Sequence, residues 1–441
     1  MLTRQHRSYF VYLFLLLSTF SLFTAQCGSA DESNQPEVAP VTLRWITWDP
    51  NNKVEETVVN QFRERYPQIE FKRERLNSPW EQTLNQTPPP DLLNIDAGYN
   101  LNALIRQGKV SDLTDFWHES GLLDQIPASL QSATAWDGKQ YYVPLGFGRV
   151  GIYYNKQVFA DHNLQPPQTW EEFILLCDTL LSVGETPIAI SGDNAWVNYV
   201  WFEYLNLRLN GPAFHRGLMT GQEQFDDPRV RIVLETWKQL FDNGYFVKNP
   251  QRLGQLEAVG ALLRSEPTQI FSVEKAVLVL TNTANISQLP TPLLDELDFF
   301  RFPIIDLTLP VAEAVELFGY VVPMGAEHLP QALTFLTHLS QPETLTLLAG
   351  EAASYGSMYA PARTDVDRQQ LHLYQQQTLT LLSESDDAVP LMWSALPESF
   401  WQQIRLEFVR FIREPHDVER FIKALETARQ KAVASGELTS R

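Results

Sequence analysis

From Val41 onward, short strand-like runs alternate with helical patterns, and this alternation limits the fold more than any other feature of the 441-residue chain. Residues 41–48 (VTLRWITW) predict a strand, residues 54–66 predict a helix with one apolar face, and residues 69–75 (IEFKRER) predict a second strand. A chain that repeats this order builds βα units, whose strands lie parallel in a sheet covered by helices on both faces. The predicted fold class is therefore α/β with mostly parallel sheets.

The first thirty residues predict an export signal that is not part of the fold. Two arginines precede an almost unbroken apolar run at 9–23, and these 15 residues are fewer than the roughly 20 that span a bilayer. Cys27 ends the sequence TAQC, the position of the lipidated cysteine in bacterial lipoproteins, which predicts cleavage before Cys27 and a lipid anchor. Cleavage after the small residues GSA at 28–30 is the alternative. Residues 31–40 are predicted to be a flexible tether.

Charge and cysteine content exclude several classes of function. The chain has 34 Lys and Arg against 53 Asp and Glu, a net charge of −19, whereas a nucleic-acid partner requires a basic surface. Cys27 and Cys177 lie in such different contexts that neither a disulfide framework nor a zinc cluster can be built from them. We expect no nucleic-acid partner, no metal and no cofactor.

The sequence does not support a catalytic or nucleotide-binding motif. Residues 146–151 (GFGRVG) match GxGxxG, but residues 152–154 continue as a strand where a dinucleotide site would open a helix. The sequence contains no HExxH, GxSxG or P-loop motif, and its eight histidines are scattered. We therefore predict a protein that is not an enzyme. A secreted glycoside-active enzyme is the alternative, since aromatic and acidic residues that hold a sugar can also cleave one.

Several stretches, in this order, resemble one known family. They are LRWITW followed by QFRERYPQIEF, then PDLLNIDAGY, VSDLTDFW, WDGKQYYVPLGFGRVGIYYNKQVF, PPQTWEEF, FGYVVPMGAEHLPQALTFLTHLSQPETLTLL and YAPARTDV. The chain resembles the extracellular solute-binding proteins of family 1, the maltose-binding-protein-like components of carbohydrate ABC importers. The resemblance runs from about Val41 to Ala434.

The resemblance implies a two-lobed clamshell of type II with three hinge crossings, near residues 144–152, 316–319 and 360–364. Gly146, Gly148 and Gly151 support the first crossing, because glycine backbone absorbs large dihedral changes. The implied lobes are discontinuous in sequence. The first lobe consists of residues 41–147 and 319–361, and the second of residues 148–318 and 362–441.

The resemblance also implies a function. The chain would be the extracytoplasmic substrate-binding component of an ABC importer, binding a sugar or oligosaccharide and delivering it to the membrane permease. Another small solute, such as a polyol or polyamine, is the alternative ligand. We expect an exported monomer, periplasmic or at the cell surface, whose contact with the membrane is limited to an N-terminal lipid anchor.

A sugar-binding cleft needs aromatic faces for the C–H side of the ring and polar groups for its hydroxyls. Candidates of both kinds were carried over from the family pattern onto strand ends and loops. Ala284 stands where many relatives carry a stacking Trp. The predicted ligand-binding residues are Trp48, Asp49, Asn77, Asp96, Tyr99, Asp193, Trp196, Asn282, Thr283, Phe318, Arg363, Trp393 and Trp401.

Overall fold

A computed structural model describes residues 40–76, 80–193, 198–264, 274–354 and 359–438. The strands are β1 Val41–Thr47, β2 Ile69–Arg75, β3 Leu92–Asp96, β4 Ala135–Trp136, β5 Lys139–Gln140, β6 Val143–Asn155, β7 Ile188–Ala189, β8 Leu278–Asn282, β9 Leu297–Phe300, β10 Ala312–Val321, β11 Ala360–Pro361 and β12 Asp387–Pro390.

The helices are α1 Lys53–Arg65, α2 Trp80–Leu84, α3 Tyr99–Arg106, α4 Thr114–Glu119, α5 Leu122–Gln125, α6 Ala128–Thr134, α7 Lys156–Asp161, α8 Trp170–Ser182, α9 Tyr199–Thr220, α10 Pro228–Asp242, α11 Gln255–Gly260, α12 Thr283–Ile286, α13 Thr291–Leu294, α14 Leu329–Leu339, α15 Pro342–Ser354, α16 Leu373–Ser383, α17 Met392–Ala395, α18 Glu398–Arg413 and α19 Val418–Ala434. Two short 3₁₀ helices lie at Pro250–Arg252 and Arg368–Gln370.

The main sheet has the strand order β2-β1-β3-β10-β6-β8-β7, with β9 and β11 paired to β6 and β12 paired to β10. Strand β1 is parallel to β2 and β3, whereas β10 is antiparallel to β3 and to β6. Strand β6 is also antiparallel to β8 and β9. The α/β class is confirmed, but the expectation of mostly parallel sheets is wrong, because β6 is antiparallel to β8, β9, β10 and β11, and β10 is antiparallel to β3 and parallel only to β12.

Buried side chains form two hydrophobic cores. The first core contains side chains between Leu43 and Phe147 and between Val315 and Ala388. The second core contains side chains between Val150 and Ala314 and between Val389 and Leu438, together with Tyr374. The chain therefore changes core three times, at 147/150, at 314/315 and at 388/389. The third change lies in β12, whereas we expected the boundary at 361/362 and a crossing near residues 360–364.

Strand β6 contributes to both cores. All 13 of its residues are buried. Its first half pairs with β10 and β11, and its second half, from Val150 onward, pairs with β8 and β9. Strand β10 changes core in the same way between Ala314 and Val315. These two strands hold the two cores in one sheet.

Local sequence signals account for where the helices begin. Asn52 starts α1 by accepting hydrogen bonds from the backbone N–H groups of Val54 and Glu55 at 2.9 and 3.2 Å. Thr169 and Glu172 form a capping box at the start of α8. Cys177 lies on the inner face of that helix and is fully buried, and burial raises the pKa of its thiol. Within the described residues, no helix has both the length and the apolar character needed to cross a membrane.

Candidate functional site

A cavity of about 410 Å³ lies where β1 and β3 end. Parallel strands present their carboxyl ends at the same edge of a sheet, which brings Trp48 and Asp49, just after β1, close to Asp96 at the end of β3. Trp48 is 53% exposed, an unusual state for a large aromatic side chain. The lining residues are Trp45, Thr47, Trp48, Asp49, Asn52, Val54, Glu55, Asn94, Asp96, Leu145, Phe318, Tyr320, Leu339, Leu348 and Tyr359.

Two aromatic rings lie over the middle of the sheet beside this cavity. Phe318 of β10 pairs with Gly146 of β6, and a Cβ on that glycine would lie 2.5 Å from the Phe318 ring. A Cβ on Gly148 would lie 2.6 Å from the ring of Tyr359. The two rings meet edge to face with centroids 5.4 Å apart. These glycines are therefore required by the rings packed on them, which is a different reason from the backbone flexibility that we expected.

Buried carboxyl groups lie beside the rings. Burial, and secondarily the charge of Glu316, raises the pKa of Asp96 to about 7. Burial likewise raises the pKa of Glu316, although a 2.7 Å hydrogen bond from the Tyr359 hydroxyl opposes that effect. Burial raises the pKa of Glu55 to about 7, against the opposing effects of the Thr47 hydroxyl, which donates to it at 2.8 Å, and of Arg73. The site therefore concentrates acids that are hard to ionise.

A smaller cavity, of about 60 Å³, lies between the first hydrophobic core and the second. Trp48, Asn94 and Asp96 line it from the first-core side. Trp393, Ser394, Leu396 and Glu398 line it from the other side. Five of the predicted residues thus meet around the two cavities, namely Trp48, Asp49, Asp96, Phe318 and Trp393.

Three predicted residues have structural roles instead. Trp401 is fully buried in the second core, where its ring packs edge-on against Tyr199 at 4.9 Å. Thr283 is buried and uses its hydroxyl to bind the backbone N–H and C=O of Arg149, each at 3.0 Å. Arg363 is 8% exposed and bonded to Asp365. In this structure the side chains of these three residues are used in packing and in hydrogen bonds within the protein, so their contact with a ligand stays a prediction.

Three other predicted residues lie away from the two cavities, and each has a hydrogen-bond partner within the protein. The Tyr99 hydroxyl donates to the backbone oxygen of Glu437 at 3.1 Å. Asp193 accepts a 3.0 Å hydrogen bond from Ser191. Asn282 caps α12 by accepting from the N–H of Asn285 at 3.1 Å. Asn77, Trp196 and Cys27 lie outside the residues that the structure describes.

The sequence reasoning missed Asn94, Glu55, Glu316 and Tyr359. Glu316 could have been found, because it lies two residues before Phe318 and alternation in a strand puts both on one face. Asn94 is likewise two residues before Asp96 in β3. Tyr359 comes from a distant part of the chain, and no local pattern places it there.

A third cavity, of about 560 Å³, also lies between the two cores. Gly98 and Asn102 line one side of it and His215 and Met219 the other. None of its described lining residues is Trp, Tyr or Phe. Among the described residues, no group of three or more His, Cys, Asp or Glu lies close enough to hold a metal ion. The first two cavities combine aromatic rings with carboxyl groups among their described lining residues.

Comparison with known proteins identifies the family. Residues 51–345 match the family of bacterial extracellular solute-binding proteins, so the chain belongs to this family. The predictions of this family and of a binding protein in place of an enzyme are confirmed.

One similar protein is an uncharacterized ABC transporter extracellular-binding protein of Pyrococcus horikoshii, 23% identical over 254 residues. The match covers 53% of this chain and 55% of that relative, so it spans little more than half of each.

Two solved structures show the same fold. The bacterial solute receptor AcbH, described as having an exclusive preference for β-D-galactopyranose, is 21% identical with a TM-score of 0.80. That match covers 91% of this chain and 98% of AcbH. The apo form of RafE from Streptococcus pneumoniae is 19% identical with a TM-score of 0.70, covering 90% and 98%.

Proposed function

We propose that this chain is the substrate-binding component of an ABC importer and that it binds a sugar or oligosaccharide in the cavities at the ends of β1 and β3. The observation that carries this proposal is the meeting of ring faces and carboxyl groups at one point. Trp48 and Phe318 offer apolar faces for the C–H side of a pyranose, and Asp96 accepts hydrogen bonds from its hydroxyls.

The proposed mechanism is closure of two lobes over the solute without chemistry. Each hydrophobic core is the centre of one lobe, and β6, β10 and β12 are the three connections between them. A close approach between the cores supports this. A Cβ on Gly98, before α3, would lie 2.2 Å from the backbone oxygen of Ser394 in α17. Gly98 has φ of 142°, so both its conformation and its surroundings favour glycine.

Similar proteins support a sugar as the solute. AcbH is described with a preference for a galactopyranose, and a RafE structure contains raffinose. The diacetylchitobiose-binding protein DasA of Streptomyces coelicolor is 28% identical over 163 residues. Ligands of this kind present both a ring face and hydroxyl groups, which is the combination that the first cavity can receive.

The proposed ligand contacts are those that surround the two cavities. They comprise Trp48, Asp49, Asp96, Phe318 and Trp393 from the sequence prediction, with Asn94 and Tyr359 added from the structure. Asn77, Tyr99, Asp193, Trp196 and Asn282 stay predictions. Trp401, Thr283 and Arg363 are omitted because their surroundings are filled by protein.

A thermal-shift panel of mono- and oligosaccharides, polyols and polyamines tests the function. A solute at a hundredfold excess over its Kd should stabilise the protein by about 2.7 kcal/mol. Trp48→Ala should remove most of that shift, whereas Trp136→Ala, a partly exposed Trp outside both cavities, should keep it. Absence of any shift, together with slow cleavage of one oligosaccharide, would show an enzyme instead.

We also propose that Cys27 is the lipid-bearing N-terminus of the mature protein and that the closed form docks on a membrane permease. The family is extracellular, which agrees with export. Radiolabelled palmitate should label the wild-type protein in cells but leave Cys27→Ala unlabelled. Recovery of a mature protein that begins at residue 31 would contradict lipidation, since Cys27 would then be removed with the signal.

A further inference from the structure

The charged groups that line the two cavities all have the same sign. Asp49, Glu55 and Asp96 line the larger cavity, and Asp96 and Glu398 line the smaller. Among the described lining residues of both cavities there is no Lys, Arg or His. A solute bound here meets acidic side chains on several sides and no cationic side chain among the described lining residues.

The inner acids, Asp96 and Glu316, differ from the outer acids, Asp49 and Glu55, in their partners. Asp49 and Glu55 each have an arginine nearby, Arg75 at 3.6 Å and Arg73 at 3.8 Å. In the part of the chain that the structure describes, Asp96 has neither an ion pair nor a side-chain hydrogen bond. Glu316, whose charge acts on Asp96, also has no cationic partner there, and its one described hydrogen bond comes from the neutral hydroxyl of Tyr359. Burying a carboxylate without a cation is unfavourable.

An independent observation concerns Asn94, which lines both cavities beside Asp96. The residue is only 7% exposed, and its amide oxygen has no hydrogen-bond partner among the described residues. Buried polar atoms are nearly always bonded, so this oxygen has capacity to accept from a ligand or a water molecule. It is an acceptor, as a carboxylate is, so Asp96 and Asn94 place two acceptors side by side at the inner end of the site.

The aromatic rings add to the same preference. The faces of aromatic rings are negative, and they attract cations within about 6 Å of the ring centre. Trp48, Phe318 and Tyr359 all line the larger cavity. Carboxylates, an unbonded amide oxygen and ring faces together form surroundings suited to a positively charged donor group.

We propose that the solute is a sugar that carries a protonated amine, and that Asp96 and Asn94 accept the N–H groups of that amine while Glu316 adds negative charge behind them. This inference rests on the proposed function and narrows it to one class of sugar. With a neutral sugar Asp96 stays a buried acid that is hard to ionise, whereas an ammonium group favours its charged form and donates to both acceptors.

Matched sugars that differ only in the amine test this inference. Isothermal titration calorimetry would compare glucosamine with N-acetylglucosamine and glucose, and the deacetylated chitobiose with its diacetylated form. The amine-bearing member of each set should bind at least about tenfold more tightly. Asp96→Asn should remove that preference, weakening the amine-bearing sugars at least about tenfold more than the neutral ones. Asp115→Asn, which removes one exposed acid outside both cavities, should keep the preference.

The possible results separate this inference from the proposed function. If neutral sugars bind as tightly as their amines, or more tightly, the inference is overturned and the sugar-binding function stands. Equal weakening of amine-bearing and neutral sugars by Asp96→Asn would also overturn it, because the residue would then act only by shape. If no sugar of either kind binds, the proposed function itself fails.

Discussion

Two parts of the molecule bury carboxyl groups in opposite ways. In the second core, Glu313 is 1% exposed and bonded to three partners. Arg208 approaches it at 2.9 Å, Arg301 at 3.1 Å, and the Tyr204 hydroxyl donates to it at 3.0 Å. At the cavity, the described surroundings of Asp96 contain no cation. A carboxyl neutralised by its own chain serves the fold, and the carboxyl without a cation is the group that we propose for ligand binding.

The largest expected effect comes from removing one of the cations that neutralise the Glu313 carboxylate. Arg208→Met should lower the free energy of unfolding by about 3–5 kcal/mol, because it leaves the Glu313 carboxylate buried with fewer compensating charges. Urea denaturation would measure this loss. Arg216→Met on the same helix is the matched control, since its ion pair with Asp387 is partly exposed and should contribute about 1 kcal/mol or less. Equal losses in the two variants would contradict the distinction.

The next largest expected effect is a gain in the free energy of unfolding. Because the pKa of Asp96 is raised to about 7 in the folded protein, the folded state holds more protons than the unfolded state between about pH 4 and 7. Stability of the ligand-free protein should therefore fall as pH rises through this range. Asp96→Asn stays neutral and should be more stable than the wild type at pH 8 by on the order of 2–4 kcal/mol.

Denaturation midpoints at pH 4 and pH 8 would check that prediction. The two proteins should have nearly equal stability at pH 4, where Asp96 is protonated in the folded state. A smaller decline with pH should remain in the variant, because the pKa values of Glu55 and Glu316 are also raised. A variant less stable than the wild type at pH 8 would show that Asp96 already has a compensating partner.

The smallest expected effect concerns the hydroxyl beside the inner acids. Tyr359→Phe removes the 2.7 Å hydrogen bond to Glu316 and should destabilise the protein by about 1 kcal/mol at pH 8, where Glu316 is more ionised. The loss should shrink at pH 4. Tyr66→Phe is a suitable control, since the Tyr66 ring stacks on Phe62 and the substitution leaves that ring in place. Thermal unfolding at both pH values would separate the two variants.

The sequence predicted the parts of the fold that depend on local pattern. Helix α1 and the strand pattern of 69–75 follow from periodicity. The start of β10 at Ala312 depends on distant parts of the chain, since its first residues gain their partners from β6 and β12, which lie far away in sequence. The sheet has both parallel and antiparallel strand pairs because strands that are distant in sequence pair within it.

The site was predictable where a strand end fixes a residue's position. Trp48 directly follows β1 and Asp96 is the last residue of β3, and both line the larger cavity. For Trp401, the position on α18 shows that it is aromatic and on an apolar face but not that Tyr199 covers it. The position of Tyr359 beside the cavity, and the lack of a described cation beside Asp96, depend on which distant side chains meet in the fold. No local sequence pattern predicts such contacts.

The continuous strand β6 has a consequence for the order in which the molecule can form. A ribosome makes the chain from the N-terminus, yet the first half of β6 finds its neighbours only in β10 and β11, more than 150 residues later. Until residue 321 has been made, the sheet lacks the strand that lies between β3 and β6. Such distant contacts are typical of slow folding. The nascent chain therefore stays incomplete through most of its synthesis, a condition compatible with passage through a membrane before the fold closes.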